Sequence, residues 1–546
     1  MKTILSFGLL VFILSCNTSS IQYWQPYDES QELTQNADHE ISRMRYKLIQ
    51  SKFLDKDDMW APFEKELSGF DITYEALKPL IIEQNIQTLQ GHIASGKLSY
   101  ESLVKFYLYR IRLLESNPET TLHALLALNP NIIIEAQQKD NQTPEDMHPI
   151  YGMPILLKDN INTANMPTTA GAAILKNHVP DDDAFIVKQL KDKGALILGK
   201  VNLSEWAYYF CSGCPVGYSA VGGQTLNPYG RRIFETGGSS SGSAVAVAAN
   251  YAVAALGSET SGSILSPSSQ NAIVGLKPTI GLVSRTGIVP ISSTLDTSGP
   301  MTKCIADNAI LLDAIAATDI QDTITKFAPR FRYLMDSFVE PSTSGLRLGA
   351  MSNILSVDSL YRKAVEDLRA AGAEVIEFNP KKTALTGFSS ILNGDMKRDI
   401  PIYFKNTSTA DFATTDVATI IDYNKHDSVL FMPYAQLRLD GVVNESITDV
   451  DLEKIISKLN VAASEFFEDP INKYQLDAIL SKNNYYAGHA AIAFYPCLTV
   501  PMGYTDKGEP SNLTFIAPSF SEKKLLMIGA AYENISNHRK LPRGYQ

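Results

Sequence analysis

The chain has 546 residues, 45% of them hydrophobic and 20% charged, with a formal net charge of −11. That is ample apolar material for a large folded core. The acidic balance, with a pI near 5.3, excludes the basic footprint that nucleic-acid binding needs.

The first element is an export signal. Lys2 precedes an apolar stretch from Ile4 to Leu14, and Ser15-Cys16 follows. The stretch is too short to cross a bilayer as a helix. Ile13-Leu14-Ser15-Cys16 resembles a bacterial lipobox. That resemblance implies removal of residues 1–15 as a lipoprotein signal peptide. It also implies lipid on the Cys16 sulfur and an exported protein anchored to a bacterial membrane, on its periplasmic or cell-surface face. Residues 16–70 read as a tether, polar to about Asp38, and an N-terminal helical region. Residues 71–546 read as the main domain.

Ser99 is a helix N-cap, with Ser102 and Leu103 opening a helix whose apolar face carries Phe106, Tyr107, Ile111 and Leu114. From residue 150 strands and helices alternate. Pro154 to Lys158 reads as a strand and Ala184 to Lys193 as a helix, with Asp181-Asp182-Asp183 at its start. Ala195 to Leu198 follows as a strand, Ser243 to Tyr251 as a small-residue helix and Ala252 to Leu256 as a buried strand. This order predicts an α/β layer with parallel strand pairs. Residues 325–485 are less regular and more polar, and read as substrate-facing helices and loops. Tyr495 to Pro501 is strand-like, and Leu525 to Tyr532 forms a closing helix.

Two serine- and glycine-rich segments carry the chemistry: Gly237-Gly238-Ser239-Ser240-Ser241-Gly242-Ser243-Ala244 and Gly257-Ser258-Glu259-Thr260-Ser261-Gly262-Ser263-Ile264. Taken singly, each could be a flexible loop. Both abut buried elements, however, and glycine there lets backbone N–H groups converge near a ligand. Gly238-Ser239-Ser240-Ser241-Gly242 also matches the G-x-S-x-G elbow, with Ser240 as nucleophile. That reading lacks a good preceding strand and needs a distant histidine, for which His489 is the least remote choice. No histidine lies between His178 and His426. Gly194 to Lys200 approaches a P-loop, but Val201 stands where Mg²⁺ needs Ser or Thr, and Ala195-Leu196-Ile197-Leu198 is a core strand. Cys211-Ser212-Gly213-Cys214 has the spacing of a local disulfide, a thiol pair or a redox motif, and no second pair completes a zinc site.

Lys158-Asp159-Asn160 and the two serine segments resemble the amidase signature family, most closely its bacterial peptide amidases. The likeness continues through Asn202-Leu203-Ser204-Glu205, Gly223 to Pro228, Gly275-Leu276-Lys277-Pro278-Thr279, Leu295-Asp296-Thr297-Ser298-Gly299-Pro300 and Thr499 to Gly503. The resemblance implies a large mixed, mostly parallel β-sheet wrapped by helices. It implies a Ser-Ser-Lys triad: Ser263 as acylated nucleophile, Ser239 as a bridging serine on a cis peptide, and Lys158 as base. Backbone N–H groups of Thr260, Ser261, Gly262 and Ser263 would form the oxyanion hole. It implies hydrolysis of a small amide or peptide amide with no metal and no cofactor. Ser241, Glu259, Ser261 and Leu265 depart from the residues frequent in the family. Two other functions fit the same scaffold. One is a non-catalytic surface binding protein, against which intact Lys158, Ser239 and Ser263 speak. The other is a tRNA-linked amidotransferase subunit, against which export speaks.

Overall fold

The computed structural model describes residues 26–142, 144–329, 341–407, 412 and 414–546. The expected export signal and Cys16 lie outside the described residues. The strands are β1 Leu125–Leu128, β2 Pro154–Lys158, β3 Leu196–Val201, β4 Tyr218–Ser219, β5 Gly223–Gln224, β6 Ala254–Glu259, β7 Val274–Lys277, β8 Thr297–Thr302, β9 Arg347–Met351, β10 Glu374–Phe378, β11 Ala478–Lys482, β12 Cys497–Tyr504 and β13 Pro510–Ile516. β4 and β5 pair with each other. The rest form one 11-stranded sheet in the order β1-β3-β2-β6-β8-β7-β12-β13-β11-β9-β10.

The sheet is mixed and helices cover it, as the sequence resemblance implies. Its parallel pairs fall in two blocks, β3-β2-β6 and β11-β9-β10. The pairs between the blocks, and β1 with β3, are antiparallel. Strand–helix alternation in sequence signals the first parallel block. The antiparallel centre arises where β7 and β8 and then β12 and β13 follow each other without a crossover helix.

β2, β3 and β6 are buried along their whole length, which explains their near-continuous apolar runs. In a parallel block the carboxyl ends of neighbouring strands share one edge, the usual place for a site. Leu157 pairs with Leu256, so Lys158 at the end of β2 lies beside Gly257 and Ser258 at the end of β6. β8 runs the opposite way, with Thr297 opposite Glu259, and brings Asp296 to the same edge.

The helix after Ser240, Ser241–Ala248, is fully buried, and its small side chains allow that. A Cβ on Gly242 would stand 2.5 Å from the Asn202 carbonyl oxygen, so glycine is required for the helix to approach the end of β3. The expected Ser99 cap is present: Ser99 and Ser102 form a reciprocal capping box on helix Tyr100–Glu115.

Three expectations need correction. The stretch read as a tether docks on the domain from residue 26. Tyr27 N–H donates to Gln50, helix Ser30–Asn36 follows, and Glu32 pairs with Arg231 at 3.2 Å. No boundary falls at residue 70, because Met44, Trp60 and Phe63 belong to the same core as the sheet. Residues 325–485 are not only helices and loops: they supply β9, β10 and β11. Their helix Phe388–Thr407 lines a cavity at the carboxyl-end edge of the sheet.

Candidate active site

Lys158 is completely buried, and its ammonium donates to three oxygens: Ser239 Oγ at 2.7 Å, Ser258 Oγ at 2.9 Å and the Ser258 carbonyl at 3.1 Å. An ammonium has three protons, so the set is complete. Asn160 Nδ2 donates to the same Ser258 hydroxyl at 2.9 Å. Burial brings the Lys158 pKa down to about 7, while the carboxylates of Asp296 and Glu259 hold it up. Asp159, adjacent in sequence, is not its partner. It pairs with buried Lys200 at 2.9 Å and accepts the Thr169 N–H at 3.0 Å. That use of Lys200 also disposes of the P-loop resemblance: Leu196–Val201 is a buried strand whose lysine already has a carboxylate.

The serines of the first segment have different surroundings. The Gly238–Ser239 peptide is cis, and the Ser239 carbonyl accepts the Ser204 N–H at 3.0 Å. Ser240 is locked into β6: its hydroxyl donates to the Ser258 carbonyl at 3.0 Å and accepts the Ser258 N–H at 3.2 Å. Ser241 Oγ donates to the Gly237 carbonyl at 2.7 Å. His489 is held by the Thr383 carbonyl at 3.0 Å and packs against Phe466 and Tyr486. Among the described residues the Ser240 hydroxyl therefore has no hydrogen bond to a histidine or to Lys158. Ser263 is bound to the first segment through its carbonyl, which accepts the Ser240 N–H at 3.1 Å.

Glu259 organises the second segment. Its buried carboxylate accepts the N–H groups of Gly262, Ile264 at 2.7 Å and Leu265 at 3.0 Å. Burial raises its pKa, against the pull of Lys277 and of these N–H groups. This corrects one member of the expected oxyanion hole: the Gly262 N–H is turned onto Glu259. Ser261 and Ser263 make no backbone N–H bond of this kind among the described residues. Thr260 Oγ1 donates to Asp296, whose other oxygen accepts the N–H groups of Ile291 at 2.8 Å and Ser292 at 2.9 Å. Burial pushes Asp296 up to about 6. Glu259→Gln exchanges a charged acceptor for a neutral amide that offers one acceptor oxygen to three donors. We expect kcat/KM to fall about 10- to 100-fold, the worth of one charge-assisted bond, with a lower Tm in thermal melts.

A cavity of about 380 Å³ opens over this edge, lined by Asn160, Asn162, Ser258, Thr260, Asp296 and Tyr403 among others. Ala207 forms part of its wall in a run of left-handed residues, Trp206, Ala207 and Tyr208. Just beyond, Cys211 and Cys214 are joined as a disulfide, and Tyr208 Oη donates to the Cys214 carbonyl at 2.8 Å. Of the three states open to this pair, the structure has the disulfide. Sequence reasoning named Lys158, Ser239 and Ser263 but missed Ser258, Glu259, Asn160 and Asp296 as partners. All four lie inside the quoted motifs, and the strand register that joins them is not visible in the chain.

The chain is similar to known proteins. A family model described as Amidase matches residues 102–394. A probable amidase of Arabidopsis thaliana is 34% identical over 481 residues, covering 85% of this chain and 92% of its own length. An amidase family protein from Bacillus anthracis superposes with a TM-score of 0.85 at 36% identity, over 91% of this chain and 99% of that one. The native peptide amidase from Stenotrophomonas maltophilia gives 0.79 at 36% identity, over 85% and 99%. The chain belongs to the amidase family and is a hydrolase of amide C–N bonds.

Proposed function

We propose that the chain cleaves a small amide or peptide amide through an acyl-enzyme, with Lys158, Ser239 and Ser263 as the working groups. The observation that carries this reading is a buried lysine poised near neutrality with its nitrogen 2.7 Å from Ser239 Oγ. Neutral Lys158 takes the Ser239 proton as Ser239 takes that of Ser263. Ser263 Oγ bonds to the amide carbon. The N–H groups of Thr260, Ser261 and Ser263 steady the resulting oxyanion. The proton returns through Ser239 to the leaving nitrogen, the C–N bond breaks, and ammonia or an amine departs. Water repeats the sequence on the acyl ester and releases the acid. Peptide amides are favoured as substrates by the likeness to a peptide amidase.

The test is release of ammonia or amine by signal-free protein from a panel of primary amides, peptide amides and anilides. Turnover of at least one class is expected. No turnover of any, with the fold intact, would overturn the reading. We also infer that the protein is exported and acylated at Cys16. Mass spectrometry of the mature N-terminus is expected to show a lipid-bearing Cys16 that Cys16→Ser loses; an unmodified terminus would reject the anchor.

A further inference from the structure

Two asparagines beside the reacting groups carry hydrogen-bonding capacity that the protein leaves unused. Asn160 is 2% exposed and Asn162 is 1% exposed, and both line the cavity. Asn160 Nδ2 is taken by Ser258, but its Oδ1 has no partner among the described residues. In Asn162 the halves are reversed: Oδ1 accepts the Tyr403 hydroxyl at 2.6 Å, and Nδ2 has no partner among the described residues. An orphaned buried amide group is costly and points to an absent ligand or water. The Asn162 backbone is fixed as well, its N–H donating to the Gly287 carbonyl at 2.9 Å and its carbonyl accepting the Ala184 N–H at 3.0 Å. Tyr403 comes from helix Phe388–Thr407, and its hydroxyl engages one half of the Asn162 amide, leaving the other half over.

One acceptor and one donor complement a peptide link, which offers one N–H and one C=O. The scissile carbonyl is already served by Ser263 and its neighbouring N–H groups, so this pair is free to read a second amide. We propose that Asn160 and Asn162, with Tyr403 orienting the latter, bind a peptide link next to the scissile amide and so select peptidyl amides over simple amides. This rests on the amide-hydrolase reading of the same site. In the complex a small side-chain rotation brings each orphaned group to the cavity surface.

The test compares Ala-Leu amide with 4-methylpentanamide, which ends in the same branched carboxamide but has no peptide link. For the wild type, kcat/KM is expected to favour the peptide amide. In Asn162→Leu, which keeps the volume and removes the donor, the ratio of the two kcat/KM values is expected to fall about tenfold, the scale of one lost hydrogen bond. Tyr403→Phe is expected to reduce the same ratio less, because it frees the amide without removing it. A purely structural role would lower both substrates together, so an unchanged ratio in both variants overturns the inference and leaves the hydrolase reading standing. A wild type that cleaves neither compound, nor any amide in the wider panel, overturns both.

Discussion

Lys158→Met is expected to lower kcat/KM for amide hydrolysis about a thousandfold, within the range for loss of a general base. The pH profile identifies the cause. Lysine accepts a proton only when neutral, and burial has brought Lys158 to about 7, so wild-type kcat/KM should rise with pH and level off above about 7. Below that value the base is protonated and the relay stalls. Asp296 and Glu259 oppose the shift, and Lys277 and Arg285 stand behind them in turn. Removing one carboxylate, as in Asp296→Asn, should therefore move the acid limb to lower pH even as the maximum falls. A limb that stays in place would mean that another group controls it.

The same lysine has a stability signature. Its folded pKa lies below that of the unfolded chain, so the unfolded state binds the extra proton between about pH 7 and 10.5. Stability then rises with pH across that window. Below it the buried ammonium costs about 5 kcal/mol relative to water. Lys158→Met carries no such proton, so its Tm should rise less between pH 7 and 10 than that of the wild type. Equal slopes would contradict a depressed lysine.

What the sequence made legible follows from local rules. The Ser99 capping box, the apolar run of Pro154–Lys158 and the strand–helix–strand order around residue 195 are each encoded within a dozen residues, and each is present. The serine segments stood out because glycine and serine between buried elements are unusual, and the family likeness then gave them roles. Non-local pairing was not legible. Nothing near Asp159 says that its partner is Lys200, 41 positions on, or that Glu259 folds back onto Gly262, Ile264 and Leu265. The strands β9, β10 and β11 escaped because each is only five residues long, and β10, Glu374-Val375-Ile376-Glu377-Phe378, is also partly exposed at the sheet edge. The polar stretch near residue 30 looks like a linker because the ion pairs of Glu32 reach residues some 200 positions away.

Ser263→Ala should abolish turnover, with a loss of at least about ten-thousandfold, since a nucleophile acting in a unit with its base cannot be spared. Three serines compete for that role by sequence, and their surroundings separate them. Ser240 Oγ is bonded on both its donor and acceptor sides to the Ser258 backbone, so it has no proton to give a substrate without breaking β6. Ser240→Ala should cost about 1–3 kcal/mol of stability for those lost bonds, with less than a tenfold drop in kcat for protein that remains folded. Ser239 holds the lysine directly, and Ser239→Ala should slow acylation about a thousandfold by cutting the proton path while leaving the attacking oxygen in place. A fluorophosphonate probe distinguishes attack from relay. Peptide mapping should find the adduct on Ser263, formed much more slowly in Ser239→Ala and Lys158→Met, and absent in Ser263→Ala. An adduct on Ser239 would exchange the two roles, because the oxygen nearest the base would then be the one that bonds to carbon. An adduct on Ser240 would reject the lysine relay altogether, since among the described residues the Ser240 hydroxyl bonds only the Ser258 backbone and makes no hydrogen bond to Lys158 or a histidine.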